Sequence, residues 1–307
     1  MHLPPNSYRR RVGARRHPTG MSLLLQRWLP RRRLTEWAGR LASAKGGRLT
    51  TWAIRRFIRR YGVDMSEALE PDPASYSTFN DFFTRALRPE ARPIVAPETA
   101  TWACPVDGAI SQFGPLGGAG RDTLIQAKGH LYTASELLGG RADWAAAFVG
   151  GHFATLYLSP RDYHRIHMPI DGTLMRMLHI PGDLYSVNPG TAAALPRLFA
   201  RNERVVCLFD TAYGCLAVVL VGATIVGSMQ TVWHGIVNPP RPQGVRDWQY
   251  GPGQVTLARG SEMGRFLLGS TVVVLWPEMA VDRGFAFNPA WRPGGTIRLG
   301  EAMATLD

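Results

Sequence analysis

The sequence predicts an α+β protein, a β-rich body preceded by an N-terminal basic amphipathic helical region. Three observations carry this. From Asp64 onward the chain runs in short apolar stretches punctuated by Gly and Pro, as strands joined by turns do. Helical patterning there is confined to Tyr76–Leu87, Ala134–Leu138 and Thr191–Phe199, with no alternating strand–helix rhythm. Before Asp64 the apolar residues fall at helical spacing and the charge is lopsided. Residues 1–61 carry 16 of the 35 Lys and Arg against a single acid, Glu36, a balance of +15. The rest carries 19 bases and 22 acids, a balance of −3, so the net +12 belongs wholly to the first fifth of the chain.

Residues 1–20 are rich in Pro and Arg with no apolar period, and read as a disordered extension; Met21 serves as well as Met1 for the start. Residues 21–62 read as helical pieces from Leu23 to Tyr61, broken by Pro30 and by Gly46-Gly47. In the second piece Arg55, Arg56, Arg59 and Arg60 form one stripe beside Ile54, Phe57, Ile58 and Tyr61. An arginine face beside aromatic and aliphatic groups suits an anionic bilayer, with Trp28, Phe57 and Ile58 inserting. A helix packing its apolar stripe on the domain while Trp28, Trp37 or Trp52 stays exposed fits the same pattern. Nucleic acid is not expected as a partner, because the aromatics belong to helical stripes and no reading motif follows.

Residues 63–307 read as the catalytic body. Phe153–Leu158, Val205–Asp210, Leu216–Val221, Val255–Leu257 and Ser270–Trp276 have strand composition. The longest apolar run, Cys215–Val226, is too short to span a bilayer and reads as a buried strand. Three cysteines, Cys104, Cys207 and Cys215, give no disulfide framework and suit a reducing compartment.

Three elements hold chemistry-bearing residues. Asp162-Tyr163-His164-Arg165-Ile166-His167 follows a strand and sets two imidazoles, an acid and an arginine where acid–base groups are often placed. Its H-x-x-H spacing lacks the glutamate and i,i+4 spacing of a zinc helix, so no metal is expected. Pro105-Val106-Asp107-Gly108 is turn-like, and its acid reads equally as an ordinary turn residue. Leu268-Gly269-Ser270-Thr271 precedes a strand. Ser270 reads as a hydrolase nucleophile, as a hydroxyl in a bend, or as a hydroxyl that attacks the preceding Gly269 carbonyl.

Eight ordered segments then resemble the pyruvoyl-dependent phosphatidylserine decarboxylases of bacteria: residues 79–94, 105–114, 126–140, 157–172, 180–188, 198–211, 221–233 and 262–273. The resemblance implies a proenzyme that cuts itself between Gly269 and Ser270, giving a β chain 1–269 and an α chain 270–307. Ser270 becomes a pyruvoyl group, the only cofactor, which forms a Schiff base with the substrate amine and draws electrons from the breaking Cα–carboxylate bond. Asp107, His167 and Ser270 are implied to act in self-cleavage, with His167 oriented by Asp107, and His164 in decarboxylation. Tyr185, Ser186 and Asn188 are implied to line the substrate pocket, although polar turn chemistry also explains them. The implied setting is the cytoplasmic face of the cell membrane, as a peripheral protein on anionic phospholipid. The implied assembly is an α/β heterodimer and a dimer of such heterodimers. An uncut serine hydrolase using the same three residues and a non-catalytic lipid or nucleic-acid binder are the competing readings.

Overall fold

The computed structural model of the chain describes residues 31–94, 101–224, 228–239, 241, 243–267, 270–278 and 284–306, with only the backbone of Arg31, Arg32 and Ser270. Residues 1–20, Trp28 and the Leu268-Gly269 pair of the expected cleavage site lie outside the described residues.

Two helices open the described chain, α1 (Arg31–Ala42) and α2 (Arg48–Tyr61), separated at the predicted glycine pair. Gly62 closes α2 in the left-handed region (φ 67°), its N–H donating to the Ile58 carbonyl, a geometry in which glycine avoids the Cβ penalty. Short α3 (Phe79–Phe83) follows.

The body is antiparallel. The strands of its two larger sheets begin with β1 (Gly108–Pro115), β2 (His152–Leu158), β3 (Arg165–His167), β4 (Gly172–Ile180), β5 (Arg204–Thr211) and β6 (Gly214–Val221). Then come β7 (Met229–Thr231), β8 (Gly235–Ile236), β9 (Arg246–Gln249), β10 (Thr256–Leu257), β11 (Glu262–Phe266), β12 (Ser270–Trp276) and β13 (Thr296–Ile297). A nine-stranded sheet runs β9-β4-β5-β6-β12-β2-β1-β13 with β10 also on β4, and a four-stranded sheet runs β8-β7-β11-β3. Every predicted strand is present. The run from Cys215 ends as a strand at Val221, and its last residues, Ile225 and Val226, lie outside the described residues. Leu216–Val221 and Val272–Trp276 are buried without interruption. These central strands are covered on both faces, so they read as continuous β-branched runs rather than alternating ones.

Two helix expectations shorten. Tyr76–Leu87 yields only α3, closed in front by a Thr78–Asp81 capping box. Beyond Thr84 the chain turns away to pair with residues 67–69, Leu69 N–H donating to Ala86 O and Arg88 N–H to Glu67 O. Thr191–Phe199 splits into helices Pro189–Ala194 and Leu198–Arg201, since Pro196 disfavours helical geometry at Leu195.

The expected insertion of Phe57 and Ile58 into a bilayer is corrected. Phe57 packs its ring against Phe79, Phe82 and Phe83 at centroid distances of 5.2, 5.9 and 6.0 Å. Ile54 is fully buried in that cluster, and Ile58 is packed against it. The apolar stripe of α2 is thus spent on the protein, because aromatic partners from α3 are already at hand.

Candidate active site

One end of the large sheet gathers the predicted residues. Ser270, the first residue of β12, lies opposite Leu158, the last of β2. Thr271 and Ala109 flank Tyr157 from either side, which puts β1 and β12 about 10 Å apart at two strand spacings. Asp107 directly precedes β1. Gly108 is required there by close approach, since a Cβ would sit 2.3 Å from the Tyr157 carbonyl oxygen. On the other flank of β12, Thr271 faces Val221, and the next residue, Gly222, gives its carbonyl to Asn202 Nδ2 at 2.9 Å.

Buried Asn202 also clamps Tyr185, accepting from its N–H at 3.2 Å and donating to its carbonyl at 2.8 Å. This brings the 182–188 loop to the same sheet end as Ser270. Within it Asn188 is an N-cap, its Oδ1 accepting from Thr191 N–H at 2.8 Å, while its Nδ2 donates to Ser186 Oγ at 2.8 Å.

Both histidines are held as neutral bases. His164 Nδ1 lies 2.8 Å from the Asp162 carbonyl and His167 Nδ1 lies 2.7 Å from the Gly260 carbonyl. A carbonyl only accepts, so each Nδ1 carries the proton and each Nε2 keeps its lone pair. His167 Nε2 is 3.3 Å from the Tyr163 hydroxyl, whose titration burial pushes up to about 12, so that Tyr163 stays protonated and donates. His164 Nε2 is buried and has no partner among the described residues. The His164 ring is fully buried against Phe83, centroids 4.0 Å apart, which continues the aromatic cluster of α2 into the site. Burial lowers the His167 value and drives that of His164 down to about 3.

That depression makes His164 an acid-labile point. An unfolded histidine titrates near 6.5. The stability owed to its neutral burial is therefore complete above that value and is lost as pH falls toward 3, at about 1.4 kcal/mol per pH unit. Chemical denaturation between pH 7 and pH 4 is expected to show stability falling more steeply for the wild type than for His164→Gln. Equal slopes would show that the ring does not enter the fold neutral.

The expected orientation of His167 by Asp107 is corrected. The Asp107 carboxylate is taken by Arg92, with Nε at 2.8 and 3.0 Å and the second guanidinium nitrogen at 2.6 Å, and by Leu299 N–H at 2.9 Å. A guanidinium fork plus a backbone donor binds a carboxylate more strongly than a neutral imidazole does. The two residues still share one wall: His167 N–H donates to Pro105 O at 2.9 Å, and the Asp107 charge acts on His167 and Tyr163.

Sequence reasoning passed over Arg92, which also bridges to Glu67 at 2.8 Å, and Arg85. Arg85 is 5% exposed, forms no ion pair among the described residues, and leaves its Nε without a partner. Its charge reaches His164 and Asp162. Both arginines sit inside the 79–94 segment, where nothing but their density marked them. Among the described residues, no cluster of three or more His, Cys, Asp or Glu is arranged to hold a metal.

A model of the phosphatidylserine decarboxylase family matches residues 79–305, and a second model, described as PSD, matches residues 21–62. The chain is similar to the phosphatidylserine decarboxylase proenzyme of Acidovorax ebreus, 62% identical over 284 residues that cover 92% of this chain and 97% of that protein. The proenzymes of Azoarcus sp. (61% identical over 286 residues, 93% and 96% covered) and Methylibium petroleiphilum (61% over 284, 92% and 97%) are similar to the same degree.

Proposed function

Since the chain belongs to the phosphatidylserine decarboxylase family, and is thereby a carboxy-lyase of phospholipid biosynthesis, we propose that it converts phosphatidylserine to phosphatidylethanolamine with a pyruvoyl group made from its own Ser270. The observation that carries this reading is the placement of Asp107 and Ser270 at one end of the large sheet, with the His167 backbone bonded to the Asp107 turn and that of His164 to the strand that leads to Ser270.

The residues present suit such a group. Ser270 pairs with Leu158 of β2, and from Thr271 onward its strand is paired on both sides, so a chain end created there would be held on β2 with the next residue fixed between β2 and β6. His164, a dry imidazole with no partner at Nε2 among the described residues, is tied to the segment that leads to Ser270: Phe266 N–H is bonded to His164 O, and Ser270 is four positions further along the chain, a reach of at most about 14 Å. The pyruvoyl carbonyl supplies an electron sink for the carboxylate-bearing carbon. His164 Nε2 holds or delivers a proton beside it. His167 Nε2 serves as the base in self-cleavage, and Asp107, fixed by Arg92, sets the local field. Arg85, a buried cation that forms no ion pair among the described residues, meets the anionic head group. Tyr185, Ser186 and Asn188 stand on the loop that borders the site.

The membrane is the proposed location, at the cytoplasmic face, with residues 1–20 an extension, 21–62 the docking region and 63–307 the catalytic domain. No helix among the described residues is long and apolar enough to cross a bilayer. Trp37, Leu41, Leu49 and Trp52 are each more than half exposed on α1 and α2, beside exposed arginines. Tryptophan and leucine among cations favour the interfacial layer of an anionic membrane. The proposed assembly is an α/β heterodimer and a pair of these.

Incubation with phosphatidylserine vesicles is expected to release carbon dioxide and yield one phosphatidylethanolamine per molecule of gas. Hydrolysis of an acyl ester without gas release would favour the serine-hydrolase reading instead.

A further inference from the structure

A groove of about 840 Å³ runs along α2, away from the site described above. One wall is a stripe of α2 at i, i+7 and i+11, namely Arg48, Arg55 and Arg59; the other is Met65, Pro71 and Pro73. Trp52, 57% exposed, stands on the cationic side, and half-buried Ile58 also lines the groove. No acid lines it, and none of the three arginines has an ion-pair partner among the described residues. Three unpaired guanidiniums facing an apolar wall complement a ligand that is anionic at one end and hydrocarbon at the other.

We propose that this groove binds one molecule of anionic phospholipid, its phosphate held by Arg55 and Arg59 and the first part of an acyl chain laid against Met65 and the prolines. The inference rests on the peripheral docking reading and narrows it from a diffuse basic surface to a built site for one lipid, separate from the substrate position. Guanidinium forks suit a phosphodiester. The apolar wall separates a lipid from a free phosphate, which gains nothing from Met65 or Pro71.

Helix geometry provides the control. Arg56 and Arg60 lie on the same helix, are equally exposed, and do not line the groove. R55E/R59E and R56E/R60E therefore carry the same charge change, displaced by one residue, about 100° around the axis. The full-length protein is titrated with phosphatidylcholine vesicles containing phosphatidylglycerol, which is anionic but lacks the serine carboxylate. R55E/R59E is expected to lose at least tenfold more vesicle affinity than R56E/R60E, with the thermal midpoint of both unchanged. Native mass spectrometry is expected to retain one phosphatidylglycerol on the wild type and on R56E/R60E, and none on R55E/R59E. Equal losses in the two pairs, with no retained lipid, would overturn the groove while leaving membrane docking intact. No loss in either pair would overturn both.

Discussion

Purified wild-type protein is expected to separate under denaturing conditions into residues 1–269 and 270–307, while Ser270→Ala stays one chain and releases no carbon dioxide. The chemistry needs a hydroxyl immediately after an unobstructed carbonyl, and Gly269-Ser270 provides it. In the proposed cut the Ser270 oxygen would bond to the Gly269 carbonyl carbon as the peptide C–N bond breaks, its nitrogen taking a proton to become an amine. Loss of the Cα proton would then expel the ester oxygen as the Gly269 carboxylate, and water adding to the imine form of the resulting enamine would release ammonia and leave the carbonyl. The 270–307 fragment should accordingly be lighter by one ammonia than its sequence and resist amino-terminal sequencing. Native chromatography should keep both fragments together. β12 is paired along its length with β2 and from Thr271 to Leu275 with β6, β13 pairs β1, and the Ala302–Thr305 strand pairs Thr101–Ala103, so the shorter fragment is woven into two sheets. A single intact mass for the wild type would remove the cofactor from the mechanism and restore Ser270 to the hydrolase reading.

What the sequence could say of this site follows from what each signal measures. The buried strands were legible because burial on both faces leaves uninterrupted apolar runs, Val272–Trp276 above all. The break at Gly46-Gly47 was legible because glycine ends helices locally. Less legible was where α2 spends its apolar stripe. Periodicity shows that Ile54 and Phe57 share a face but not what covers it, and the cover, Phe79 to Phe83, is supplied by another element. The partner of Asp107 was hidden for a similar reason. His167 was the nearer candidate in chemical terms, yet Arg92, 15 residues earlier in the chain, arrives with a fork that an imidazole cannot match. The Gly260 carbonyl that sets the His167 tautomer belongs to a turn 93 residues away and carries no side-chain signature at all.

Separate substitution of the two histidines is expected to separate the proposed self-cleavage from the proposed decarboxylation. His167→Ala should remain uncut, whereas His164→Ala should cut normally and turn over about 10²–10⁴-fold more slowly, the range for loss of a positioned acid or base. Both rings present a lone pair at Nε2, so protonation state does not distinguish them; their surroundings do. His167 Nε2 is occupied by the Tyr163 hydroxyl, and its backbone is tied to Pro105, beside Asp107 and the strand that borders β2. It can take a hydroxyl proton once the Tyr163 hydroxyl yields its place at Nε2. His164 Nε2 has no partner among the described residues and is fully buried, which would suit it to hold or deliver a proton at a reacting carbon kept from water. Intact masses report the cut, and carbon dioxide release by the processed fraction reports turnover. The opposite pattern, an uncut His164→Ala and a normally cut His167→Ala, would exchange the two assignments. Loss of the cut in both variants would mean that one imidazole supports the other during self-cleavage, and the division of labour drawn from their different surroundings at Nε2 would be wrong.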